Sequence, residues 1–281
     1  MLMLGPILIS IGTFFEEVSD SIGKDKVKHH LESPYTMAFL SLFWAAIIFT
    51  LISVFKADGF VFKLASLPTF LLRAFLEVGQ MYVSIMAIVK ADRSTFSFVR
   101  TITIPLLLIV DLILGYQIGF MPTVGIGVII VTLGVLFFNH GIKKTGLGFV
   151  LFSAINAVIT ISLFKYDITH FNSVAAEQLL INAILLTVFL LLAIFKAKEN
   201  PLVFLEKPIF LLQSAAIGIG GVIESFGYNY GAASIMTAAK RSSAIFWSLL
   251  AGKVYFKEKH IIFKFAIFIL LLGGFILLAL N

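Results

Sequence analysis

Leu51-Ile52-Ser53-Val54-Phe55-Lys56-Ala57 recurs as Leu191-Leu192-Ala193-Ile194-Phe195-Lys196-Ala197, an offset of about 140 residues. The match runs outward on both sides. Pro68-Thr69-Phe70-Leu71-Leu72 recurs as Pro208-Ile209-Phe210-Leu211-Leu212, and Arg100-Thr101 aligns one residue later with Arg241-Ser242. A repeat unit that crosses a bilayer an odd number of times must lie upside down relative to its twin. The sequence therefore divides into a first repeat over 1–140, a connecting loop over 141–146 and a second repeat over 147–281.

The composition names the solvent. The chain of 281 residues is 60% hydrophobic and only 13% charged, with a mean hydropathy of +1.06, far from the balance of a soluble domain. A helix crosses roughly 30 Å of hydrocarbon with about 20 apolar residues. Ten such stretches are predicted, at 3–22, 34–55, 67–89, 94–114, 119–139, 146–165, 172–195, 207–230, 232–252 and 261–280. The runs are continuous where a transmembrane barrel would need alternating ten-residue strands, so the fold class is all-α: ten transmembrane helices in two inverted five-helix repeats. The run from Met1 to Phe15 lacks a basic start and a small-residue cleavage site and continues into Glu16-Glu17-Val18-Ser19-Asp20, which reads as a retained first helix.

Basic residues are distributed unevenly between alternate loops. The loops after spans 1, 3, 5, 7 and 9 hold Lys24, Lys26, Lys28, Lys90, Arg93, Lys143, Lys144, Lys196, Lys198, Lys207, Lys253, Lys257, Lys259 and Lys264, and the other loops little beyond Lys56, Lys63 and Lys165. Basic residues are retained in the cytoplasm, which places the first set inside and both termini outside. Equivalent loops of the two repeats differ accordingly: Lys90-Ala91-Asp92-Arg93 corresponds to Gly231-Ala232-Ala233-Ser234, and Gly115-Tyr116-Gln117-Ile118-Gly119 to Phe256-Lys257-Glu258-Lys259-His260. The net charge of +6 is thus a topological signal, and no basic surface interleaved with aromatics points to nucleic acid. Cysteine is absent, which excludes disulfides and thiolate metal sites.

Charges also fall inside the apolar spans: Glu16, Glu17, Arg73, Glu77, Arg100, Glu224, Lys240 and Arg241, four acidic and four basic. An ion at the bilayer centre costs at least ~2.5–3.5 kcal/mol, so each must face a partner or a cavity. Arg73 and Glu77, one helical turn apart, can touch. Two readings follow for the rest. In the structural one, Arg100 pairs with Glu16 or Glu17 and Arg241 with Glu77, fastening helices together. In the functional one, Arg100, Lys240 and Arg241 line a central cavity and hold an anionic group, and Glu16, Glu17 or Glu77 carries a coupling proton. Uncharged polar residues complete the expected lining, chiefly Gln80, Asn156 and Trp247, with Ser10, Thr13, Thr101, Thr103, Thr160, Asn182, Gln213 and Ser242. Asn156 stands out because an unpartnered amide at mid-span is costly. Pro105 removes a backbone donor and is expected to kink span 4. Gly218-Ile219-Gly220-Gly221 lacks the preceding strand and following Lys-Ser/Thr of a nucleotide loop, and close helix packing explains it better.

Two longer stretches carry a family resemblance. The run from Gly125 to Asn139 resembles the helix that closes each EamA repeat, and Ala239-Lys240-Arg241-Ser242-Ser243-Ala244-Ile245-Phe246-Trp247-Ser248-Leu249-Leu250-Ala251-Gly252 with Phe256-Lys257-Glu258-Lys259 resembles the ninth helix and its exit loop. Over essentially its whole length the chain is similar to the drug/metabolite transporter superfamily, EamA-type. The resemblance implies alternating access and transport of small metabolites. It also implies a phosphate-binding role for Lys240-Arg241, as in the sugar-phosphate branch, and a proton-binding role for Glu16 or Glu17, as in the small multidrug members. Most members are drawn with both termini in the cytoplasm, opposite to the Lys and Arg count. The expected function is secondary active transport of a small polar metabolite, anionic or zwitterionic, by proton coupling or exchange; export of amphipathic or cationic drugs or of amino acids is the alternative. No cofactor or metal is expected, since the five His sit at loop edges away from ligand spacing and no catalytic constellation is found. The expected partners are a small-molecule substrate and the lipid bilayer of a bacterial or archaeal cell, with the chain a monomer or homodimer.

Overall fold

The computed structural model describes residues 4–56, 59–113, 119–138 and 144–279. The Gly115–Ile118 part of one compared loop, His140 and Lys143 lie outside them. Twelve α-helices and no strand occur among the described residues: α1 Leu4–Lys28, α2 Pro34–Phe55, α3 Leu67–Lys90, α4 Arg93–Arg100, α5 Thr103–Ile113, α6 Phe120–Phe138, α7 Leu147–His170, α8 Val174–Leu192, α9 Pro201–Phe204, α10 Pro208–Gly227, α11 Ala233–Val254 and α12 Ile261–Ala279. Among the described residues six segments are long and apolar enough to cross a membrane: Pro34–Phe55, Leu64–Lys90, Arg93–Ile113, Leu147–His170, Val174–Ala197 and Pro208–Tyr230. These make the chain an all-helical protein built for a bilayer. The helices α1 and α11 have the length but carry Glu16, Glu17 and Asp20, and Lys240-Arg241; α6 and α12 hold shorter apolar stretches at Thr123–Leu136 and Ile261–Leu277.

Local signals start the helices where expected. Ser33 and Ser173 accept hydrogen bonds from the Thr36 and Ala176 amides and cap α2 and α8, and Pro34, Pro68 and Pro208 occupy first-turn positions that need no amide donor. The expected kink is present. Pro105 offers no amide to the Thr101 carbonyl, which takes the Ile104 amide at 3.0 Å instead, and the helix breaks at Thr101-Ile102 between α4 and α5.

Packing pairs α1 with α10, α3 with α7, α2 with α8, and α6 with α12. The α1–α10 crossing is closest at Gly12, where a β-carbon would lie 2.6 Å from the Gly220 carbonyl oxygen. Gly218 meets Trp44 of α2 in the same way, while a β-carbon added at Gly221 would point into open space. The Gly218–Gly221 stretch is therefore a packing surface on two sides. Large apolar side chains such as Phe55, Phe75, Ile113, Phe138 and Ile262 remain exposed on the outer surface, as side chains facing lipid do.

The connecting segments gather at two ends. At one, Glu199 accepts from the Ser33 amide, Glu258 from the Arg93 amide, and Gly146 packs on Lys90 and Ala91. At the other, the Val61 and Lys63 amides donate to Ser173 and Asn172. The first end carries Lys28, Lys90, Lys144, Lys196, Lys198, Lys207, Lys253, Lys257 and Lys259 exposed. Three residues counted as loop charges are corrected here: Lys24, Arg93 and Lys264 are buried, because their charged groups cap carbonyls or meet carboxylates inside the bundle.

Candidate functional site

A cavity of about 320 Å³ lies between α1, α2, α3, α4, α7, α8, α10 and α11. Helical period explains its polar wall. Arg73, Glu77, Gln80, Ser84 and Ile88 recur at three- and four-residue steps on one face of α3, and Glu16 and Asp20 do so on α1. Glu224 of α10, Arg100 at the end of α4, and Lys240 and Arg241 of α11 complete the charged lining, with Thr160 and Asn182 among the neutral polar groups.

The charges fall into two kinds. Lys240 Nζ is 2.8 Å from Glu16 Oε2 and also bonds Glu224, whose Oε1 lies 2.7 Å from Thr13 Oγ1. Arg93 Nη2 is 2.5 Å from Glu17 Oε2 and 3.2 Å from Asp20 Oδ2. Arg73 Nη1 is 2.9 Å from Glu177 Oε1, its Nε is 3.6 Å from Glu77 Oε1, and its guanidinium stacks 4.6 Å over the Phe164 ring. Each of these three cations thus lies between two carboxylates. Arg100 and Arg241 differ. Among the described residues neither makes an ion pair. Arg241 Nε donates to Thr103 Oγ1 at 3.3 Å, while Arg100 lies 5.1 Å over the Phe96 ring and its Nε has no hydrogen-bond partner. Both line the same cavity.

The pairings expected from sequence are corrected. Arg100 does not pair with Glu16 or Glu17, nor Arg241 with Glu77; Glu16 goes to Lys240, Glu17 to Arg93, and Glu77 to Arg73. The first turn of α4 brings Arg93 level with the second half of α1, and there it takes both nearby acids. Of the expected lining residues, Glu16, Glu77, Gln80, Arg100, Thr160, Asn182, Lys240 and Arg241 reach the cavity, whereas Ser10, Thr13, Thr101, Thr103, Gln213 and Ser242 do not line it. Asn156 instead stands behind it, donating to Gln80 Oε1 at 2.9 Å and to the Leu76 carbonyl at 3.2 Å. Trp247 and Glu17 face a different, mostly apolar groove of about 550 Å³ between α1, α10 and α11, where Trp247 stacks edge-on against Phe14 at 4.7 Å. The geometry of a helix accounts for both. Trp247 is six residues beyond Arg241, about 240° around the axis, and Glu17 is about 100° from Glu16. Sequence reasoning missed Asp20, Arg93 and Glu177. The four-residue step from Glu16 was a usable signal for Asp20; the other two meet their partners only through tertiary packing.

No protein-family model matches the chain, and no curated protein matches it.

Proposed function

We propose that this chain is a secondary carrier for a small anionic or zwitterionic metabolite, of the drug/metabolite transporter type, working by alternating access. The observation that carries the reading is a pair of arginines lining the cavity, buried Arg241 and half-buried Arg100, that make no ion pair among the described residues. A buried charge without a partner is costly, and an anionic ligand supplies the missing one.

The packing supports a duplicated, inverted architecture of ten spans. Counting α4 with α5 as one span and leaving out the short α9, every main contact has a counterpart under exchange of the halves: α1 on α10 as α7 on α3, α2 on α10 as α8 on α3, α11 on α1 as α4 and α5 on α7. The pairs α2–α8 and α6–α12 are their own counterparts. The basic end of the bundle is cytoplasmic in this reading, with both termini outside. Coupling to protons is supported by the Lys240, Arg93 and Arg73 clusters, each of which holds one carboxylate more than its cation neutralises. A proton residing on Glu16 or Glu77, both on the cavity wall, neutralises the surplus of its own cluster while the anion occupies the arginines.

Uptake into proteoliposomes tests the assignment. Arg241→Ala is expected to remain folded and to lose transport of phosphorylated metabolites and amino acids, screened together with quaternary cations. Unchanged transport by that variant defeats the assignment, and a transported set made only of cations favours a drug exporter.

A further inference from the structure

Glu32 lies in the short segment between α1 and α2, outside the membrane spans, yet is only 2% exposed. Its Oε1 accepts a hydrogen bond from Gln213 Nε2 of α10 at 3.0 Å. Gln213 is fully buried. Two oxygens of this pair, Glu32 Oε2 and Gln213 Oε1, are buried without any hydrogen-bond partner. Two acceptors cannot satisfy each other, whereas a carboxylic acid and a primary amide can close a ring of two reciprocal bonds. One proton on Glu32 Oε2, donated to Gln213 Oε1, removes both orphans at once.

We propose that Glu32 and Gln213 form a proton-dependent latch, in which neutral Glu32 clasps the Gln213 amide and holds the α1–α2 turn on α10 at the basic end of the bundle, and loss of the proton releases it. The surroundings favour the neutral form. Burial and the repelling Glu199 carboxylate push the Glu32 carboxyl up to about 8, against weaker opposition from the Gln213 hydrogen bond and from Lys26 of α1; α2 and α10 add no charge acting on it. Glu199 is itself held at the start of α2, where it accepts from the Ser33 amide at 3.0 Å and from Thr36 Oγ1 at 2.5 Å. Packing leaves little slack, since a β-carbon on Gly23 would lie 2.9 Å from Gln213 Nε2 and 2.6 Å from Met37 Cε. The sign follows from linkage. A carboxyl raised above its ordinary value of 4.5 contributes stability that is complete below that value and is lost as pH rises through about 8. The latch stands on these contacts alone, whatever the cavity carries.

The chain has no native cysteine, so spin labels can be placed on Lys28→Cys and Lys207→Cys, exposed positions on either side of the junction. In lipid nanodiscs the label-to-label distance is expected to lengthen or broaden between about pH 6 and about pH 10, with a midpoint near 8. E32Q retains both reciprocal bonds without a titrating proton and is expected to keep the short distance at both pH values. E32A is expected to give the long distance at both. A wild-type distance that does not move, a shift of full size in E32Q, or a short distance retained by E32A overturns the proposal.

Discussion

Among the described residues a cation is held between two carboxylates three times, at Lys240, Arg93 and Arg73, whereas Arg100 and Arg241 line the cavity without a carboxylate partner. The difference predicts opposite stability effects for similar truncations. Arg93→Ala strands Glu17 and Asp20 inside the bundle, and breaking a buried pair costs about 3–5 kcal/mol. Arg100→Ala breaks no ion pair among the described residues, and the guanidinium it removes lies among opposing charges, Arg241 against Glu16 and Asp20. Thermal unfolding in detergent is expected to show a large drop in Tm for Arg93→Ala and an unchanged or raised Tm for Arg100→Ala; a comparable drop in both would mean that Arg100 is compensated after all. Sequence could supply the residue types but not these partnerships. Arg93 reads as a loop charge because it follows Lys90-Ala91-Asp92, and only the packing of α4 against α11 and α7 brings its side chain to Glu17 and Asp20 of α1.

At the scale of elements, the break between α4 and α5 sets the geometry of the site. Thr103 donates its hydroxyl to the Arg100 carbonyl at 2.8 Å and accepts from Arg241 Nε at 3.3 Å, so the interruption joins the two arginines through one side chain. Replacing Pro105 restores an amide that can bond the Thr101 carbonyl and continue the helix. Pro105→Ala is expected to hold or raise Tm while weakening substrate binding by moving Thr103 off Arg241. Unaltered affinity would show that the break is incidental to the site. A second element-scale prediction concerns the α1–α10 crossing. A methyl group at Gly12 meets Glu224 Cγ and, at 2.6 Å, the Gly220 carbonyl oxygen; overpacking of this kind costs about 1–3 kcal/mol, and Gly12→Ala is expected to show that loss in thermal unfolding. Helix positions and the kink were legible, because apolar run length, Ser caps and proline chemistry act locally. The face on which a residue sits was less so: Trp247 and Asn156 were both expected at the cavity, yet one turns to the outer groove and the other stands behind Gln80.

For the whole molecule, the proposed arrangement is a duplicated bundle whose halves lie antiparallel around a polar cavity, a reading that starts from the distribution of Lys between alternate loops. The sequence repeat carries that reading. The direct test uses single cysteines introduced into this cysteine-free chain at Lys63 and Lys144, exposed residues at opposite ends of the bundle. With a membrane-impermeant maleimide on intact cells, Lys63→Cys is predicted to label from outside and Lys144→Cys only after the membrane is opened. Labelling of both from the same side would contradict the antiparallel arrangement and the carrier built on it.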